Sequence, residues 1–217
     1  MPELEFAVES AEPLPFAASP HLLFKLRVRD AATLATPIHS AMLHCQIRIE
    51  PTRRRYSTNE RHRLFELFGP PRDWDRTLHS MLWTHVNVFV PPFTGEMVVE
   101  APVACSYDFN VAATKYFAAL DGGDIPLCLL FSGTVFYQGG ECGMRVSQIS
   151  WEKEASYRLS AATWKAMMDR YYPGCIWTPV PRDVFDRIDA HKRRQMLSSW
   201  EQALESLLPP VEEQVPT

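Results

Sequence analysis

The feature that most constrains this chain is a period-two alternation of apolar and polar side chains. Leu4, Phe6 and Val8 alternate with Glu3, Glu5 and Glu9, broken only at Ala7. Leu22, Phe24, Leu26 and Val28 alternate with Lys25, Arg27 and Arg29, and Leu43, Cys45, Ile47 and Ile49 with His44, Gln46, Arg48 and Glu50. Successive side chains of a strand point to opposite faces, so each run predicts a strand with one dry and one wet face, the habit of antiparallel sheets. Leu82–Val90 and Met97–Cys105 repeat the pattern on either side of Pro91-Pro-Phe-Thr-Gly95, which reads as a turn. Pro126–Tyr137 is apolar on both faces, which predicts a strand covered from both sides, by the opposite sheet and by the C-terminal helices. Met144–Trp151, reached through the hairpin-like loop Gln138–Gly143, is a seventh. About seven strands at this spacing predict a mainly β, α+β chain: an antiparallel, immunoglobulin-like β-sandwich with inserted helices and a C-terminal helical segment.

Helical signals interrupt the strands. Ser57-Thr-Asn-Glu60 is a capping box, followed by Leu64, Phe65, Leu67 and Phe68 and then Gly69, which predicts a helical insertion near 57–69. Residues 109–120 place Phe109, Ala112, Ala113, Tyr116, Phe117 and Leu120 at helical spacing, with Asp108 or Asn110 as cap and Lys115 on the outer face. The alternative is a strand turning at Gly122-Gly123. Beyond residue 159 the pattern is helical: a helix capped by Ser160 and carrying Trp164, Met167, Met168 and Tyr171, a second from Pro181, and a third opened by the capping box Ser198-Ser-Trp-Glu201. With 217 residues the chain is long enough for one cored domain, expected over 1–208: a sandwich over 1–158, packed helices over 159–208, and a flexible tail over 209–217.

Lysine and arginine number 22 against 26 acidic residues, a net charge of −4, which argues against a general nucleic-acid binder. The start lacks the basic and apolar regions of a signal peptide, and no apolar run approaches a membrane span, so a cytoplasmic protein is expected. The five cysteines are widely spaced with no C-x-x-C, and Trp83 lies too near Cys105 for the usual immunoglobulin pattern with Cys45; all five are read as reduced, with Cys142 the exposed one. No phosphate loop, nucleophile elbow or calcium loop occurs. The seven histidines form no ligand set: His79 and His85, six residues apart on one strand, stand about 20 Å apart if extended. No catalytic residue, metal or cofactor is nominated.

Two features remain as candidate sites. Arg48, Arg53, Arg54, Arg55, Arg61 and Arg63, against Glu50 and Glu60, give sixteen residues a local charge of +4 inside an acidic protein. Guanidinium forks pair with carboxylates and phosphates, so Arg48, Arg53, Arg54, Arg55 and Arg61 form a candidate docking patch; the alternative is a strand edge and loop defended by charge. Tyr116, Trp164 and Trp177 are candidate walls of a small-molecule pocket between sandwich and helices. Trp151 is expected to pack beneath a charged strand end at Glu152–Glu154 and Arg158.

Several phrases are distinctive together: Cys45-Gln-Ile-Arg-Ile-Glu-Pro51 with Arg55-Tyr56, Leu67-Phe-Gly69, Val90-Pro-Pro-Phe-Thr-Gly95, Tyr107-Asp-Phe109 with Val111-Ala-Ala-Thr-Lys-Tyr-Phe117, Leu130-Phe-Ser-Gly-Thr-Val-Phe-Tyr137, and Trp151 with Tyr157-Arg-Leu159. From Leu4 to about Leu208 the chain resembles a bacterial family of unknown function whose members are encoded among the genes of uptake [NiFe]-hydrogenases, notably in actinobacteria. The resemblance implies an accessory, assembly or maturation role beside hydrogenase subunits or maturation factors, and carries over no functional residue. The leading expectation is therefore a non-enzymatic, cytoplasmic partner-binding protein. A small-molecule-binding sandwich and an unrecognised hydrolase are the alternatives.

Overall fold

The computed structural model describes residues 1–32, 36–106, 110–139, 143–176, 178 and 180–209. Among these, eight strands form two antiparallel sheets. The first takes β1 (Leu4–Pro13), β2 (His21–Asp30) and β5 (Glu96–Ala104) in the order β1-β2-β5. The second takes β4 (Met81–Val90), β3 (Ile38–Ile49), β6 (Asp124–Gln138) and β7 (Met144–Ile149) in the order β4-β3-β6-β7, with β8 (Glu154–Ser160) pairing the first half of β6. The sandwich expected from the alternation is what forms, and all seven expected strands are present.

The eighth strand, β8, replaces the charged strand end expected at Arg158. Its alternation, Ala155, Tyr157 and Leu159 against Ser156 and Arg158, is short but legible. Trp151 does not pack beneath it: the ring stands 82% exposed at the turn between β7 and β8.

The dry faces meet as the alternation requires. Phe6 of β1 stacks on Phe131 of β6 at 4.2 Å between ring centroids, and Phe24 of β2 meets Trp83 of β4 and Tyr157 of β8 edge-on. Leu22, Val28, Leu43, Ile49 and Val103 are fully buried between the sheets. β6 is central, bonded to β3 along one edge and to β8 and then β7 along the other. Gly133 of β6, at φ +139°, lets the backbone of β3 approach closely: a Cβ there would lie 2.0 Å from the Met42 carbonyl oxygen.

The long β3–β4 connection holds a 3₁₀ turn (Pro51–Arg53), α1 (Thr58–Arg63), α2 (Phe65–Phe68) and α3 (Trp74–Thr77). The capping box forms as expected: Ser57 Oγ accepts the Glu60 amide and Glu60 Oε2 accepts the Ser57 amide. Residues 111–119 are helical (α4, Val111–Ala119), not a strand; Asn110 caps it by accepting the Ala113 amide, and anchors it by donating to the carbonyls of Leu82 and Trp83. Asp108, the other expected cap, lies outside the described residues. α5 (Ala161–Tyr171) starts at Ser160, whose side chain makes no cap bond.

α4 ties these parts together through aromatic contacts. Phe117 meets Trp83 at 5.0 Å and Trp164 of α5 at 5.3 Å, while Tyr116 meets Phe68 of α2 at 6.2 Å. Burying large rings contributes about 2–3 kcal/mol each, with edge contacts adding about 0.5–1.5.

The chain divides into two compact units, residues 1–176 and 177–217. α5 belongs to the first, with the sandwich. The second holds α6 (Arg182–Arg194) and α7 (Trp200–Glu205). α6 begins at Pro181 as expected. The cap of α7 is Ser199 with Gln202, one residue later than the expected Ser198–Glu201 box; Gln202 Oε1 instead accepts the Ser198 amide. Residues 210–217 of the expected tail lie outside the described residues. No helix among the described residues is long and apolar enough to cross a membrane.

Candidate functional site

The arginine-rich segment splits into an inner and an outer set. Arg54 is inner, with its side chain 9% exposed. Its Nη2 donates to Glu60 Oε1 at 2.7 Å and to the Gly122 carbonyl at 3.2 Å, and its Nη1 donates to the Asp124 carbonyl at 3.1 Å. The guanidinium also lies 5.1 Å above the Tyr56 ring. Glu60 is buried as well, and accepts from the Asp121 amide at 3.0 Å in addition to its cap bond. A buried guanidinium requires such pairing, because an unpaired charge there would cost several kcal/mol. Arg54, expected in the docking patch, fastens the 51–57 loop to the segment that links α4 to β6.

The loop is held a second time by tyrosines. Tyr56 donates its hydroxyl proton to the Pro51 carbonyl at 2.8 Å, and the Tyr56 and Tyr116 hydroxyls share a further bond at 2.8 Å. Burial is the main cause that pushes both phenols up, Tyr116 to about 12. Tyr116 is therefore a core strut, fully buried, and Trp164, 3% exposed, packs in the core against Phe117. Trp177, the third residue of the expected pocket, lies outside the described residues.

With Arg54 turned inward, the exposed guanidiniums are those of its neighbours. Arg53 and Arg55 are exposed, and Arg53 reaches Ser156 of β8 at 3.5 Å. Arg158 of β8 lies across the ladder from Pro126, two residues from Ser156 on the same outer face. These groups enclose an open cleft of about 520 Å³, lined by Thr52, Arg53, Arg54, Arg55, Asp124 and Arg158. Glu60 neutralises Arg54, so the cleft presents three solvated guanidiniums against one carboxylate, Asp124.

Arg48 and Arg61 are not part of it. Arg48 Nε donates to Ser80 Oγ at 2.8 Å, and Ser80 Oγ donates to Glu50 Oε1 at 2.5 Å, so a serine bridges Arg48 and Glu50 on the wet face of β3. Arg61 is exposed on α1, outside the cleft lining. Arg63 pairs with Asp121, and its hydrogen bond is the main cause holding that carboxyl below its ordinary value. Arg158 was missed because its segment was not read as a strand; the alternation around Tyr157 was the available signal.

The remaining expected chemistry is dispersed. Cys45, Cys105 and Cys128 are buried free thiols, and burial pushes the first two up to about 12. Among the described residues Cys175 is the exposed free cysteine; Cys142, expected to be exposed, lies outside them. Among the described residues no group of three or more His, Cys, Asp or Glu side chains is placed to hold a metal ion.

The family model of a family of unknown function, DUF6084, matches residues 1–216, and the chain belongs to that family. No curated protein matches it. Among solved structures, a β-glucosidase from Kluyveromyces marxianus is similar over 72% of this chain at 9% identity, with a TM-score of 0.27. This chain spans only 15% of that enzyme, and a likeness so distant carries no argument about function.

Proposed function

We propose that this DUF6084 member is a non-enzymatic accessory protein that docks an acidic segment of a protein partner in the arginine cleft. The observation that carries the reading is the convergence of Arg53, Arg55 and Arg158, from two separate segments, on one concave site whose shape is fixed by the buried Arg54–Glu60 pair. Guanidinium forks bind carboxylates bidentately, and a site held by buried bonds loses little entropy on docking. An accessory or assembly role in the cytoplasm beside a [NiFe]-hydrogenase, with a structural subunit or maturation factor as partner, is the form that the sequence resemblance supports.

The test is a mild-lysis pull-down of tagged protein from its host at low and high salt, read by mass spectrometry. Because exposed ion pairs screen over about 8–10 Å near physiological ionic strength, the partner should come down at low salt and be released at high salt. The Arg53→Glu, Arg55→Glu, Arg158→Glu variant should lose it by about tenfold or more, since rim charges govern association. Arg54 is left intact because changing it would disturb the loop itself. Recovery of the same partner by the triple variant, at unchanged salt sensitivity, would overturn the assignment.

A further inference from the structure

Among the described residues of the 177–217 unit, α6 and α7 keep large apolar side chains exposed. α6 and α7 meet through Phe185 and Trp200, whose centroids are 4.9 Å apart, with the Lys192 ammonium 5.6 Å from the Trp200 ring. His191 Nε2 and Ser206 Oγ lie 2.9 Å apart. Among the unit's described residues Ala203 alone is buried, while Phe185, Met196, Trp200, Leu204 and Leu207 are 41–91% exposed. Helices of 13 and 6 residues are at or below the length that holds its shape in water without packing, about 12–15 residues.

The geometry of that surface specifies what it takes. Of those exposed residues Leu207 lines an open groove of about 680 Å³, together with half-buried Val184 and Ile188 and with Arg187, His191 and Arg194. Residues 184, 187, 188, 191 and 194 recur at three and four along α6, so apolar floor and cationic rim belong to one helical stripe. We propose that this groove docks an amphipathic helix of a partner protein whose apolar ridge is flanked by Glu or Asp. The apolar floor receives the ridge, and the arginines pair with the flanking carboxylates. This groove is independent of the arginine cleft of the first unit.

The test uses the full chain and two labelled 18-residue model peptides, read by fluorescence anisotropy. Both carry leucine at i, i+3, i+4 and i+7; one is flanked by glutamate, the other by lysine. The glutamate peptide should bind at least tenfold more tightly than the lysine peptide. Ile188→Glu should weaken it at least tenfold, and Arg187→Glu with Arg194→Glu should reverse the preference between the peptides. The Arg53→Glu, Arg55→Glu, Arg158→Glu variant should bind as the parent does, which separates this proposal from the cleft assignment. Equal binding of the two peptides, or binding of neither, overturns it. So does an Ile188→Glu variant that lowers the melting temperature yet leaves peptide affinity unchanged, since the groove would then be filled from within the chain.

Discussion

Replacing Glu60 by alanine tests whether the arginine loop is held from inside. The Glu60 carboxylate accepts from Arg54 Nη2 at 2.7 Å, from the Ser57 amide at 2.8 Å and from the Asp121 amide at 3.0 Å, and the two paired side chains are 5% and 9% exposed. Removing one partner of a buried pair leaves the other charge uncompensated, at a cost of about 3–5 kcal/mol. For a chain of this size each kcal/mol moves the melting temperature by about 2–4 °C, so Glu60→Ala should lower it by roughly 6–20 °C. The control is Glu66→Ala, whose partner Lys115 is 43% exposed while Glu66 itself is 72% exposed; it should change stability by less than about 1 kcal/mol. The double variant Arg54→Met, Glu60→Leu should be less destabilised than Glu60→Ala, because it leaves no orphaned charge. Thermal and urea unfolding followed by circular dichroism measure all three. If Glu60→Ala shifts the melting temperature no more than Glu66→Ala does, the pair is not what holds the loop, and the preorganised cleft loses its basis.

Two further outcomes follow from the packing. Gly133→Ala should cost at least about 3 kcal/mol, since the added Cβ meets the Met42 backbone at a φ that side chains rarely adopt, whereas Gly122→Ala, with nothing within 4 Å, should stay within about 1 kcal/mol; urea midpoints compare the two. Stability should also fall as pH rises above about 9. The Cys45 and Cys105 thiols, ordinarily near 9.0, and the Tyr116 phenol, ordinarily near 10.0, are each pushed by burial to about 12. A raised folded value means the stabilisation is complete below the unfolded value and is lost as pH climbs towards 12, at up to about 1.4 kcal/mol per pH unit for each group. A urea midpoint equal at pH 8 and pH 10.5 would contradict the burial of these groups.

The sequence by itself determined the architecture. Period-two alternation marks β1 to β5, because a sheet with one wet face must alternate, while the unbroken apolar run marks β6 and the glycine loop before β7 marks that strand. It also determined the Ser57–Glu60 box, set by residues three apart, but left the segment around Tyr116 open between a helix and a strand, which the tertiary structure decided for the helix. β8 was legible in principle through Ala155, Tyr157 and Leu159, but Trp151 and the surrounding charges drew the reading towards a strand end.

The tertiary structure alone decided which arginines are free. A run of three adjacent arginines is uniform in sequence, yet Arg54 differs from Arg53 and Arg55 because its partners include the carbonyls of Gly122 and Asp124, roughly seventy residues away. The same holds for Arg158, which joins the cleft only because β8 pairs with β6 beneath the loop, and for Tyr116, whose partner hydroxyl is sixty residues distant. Local order is written in short spacings that one strand or helix can satisfy. Whether a charge is buried or presented depends on partners brought together by folding, and no local spacing encodes them.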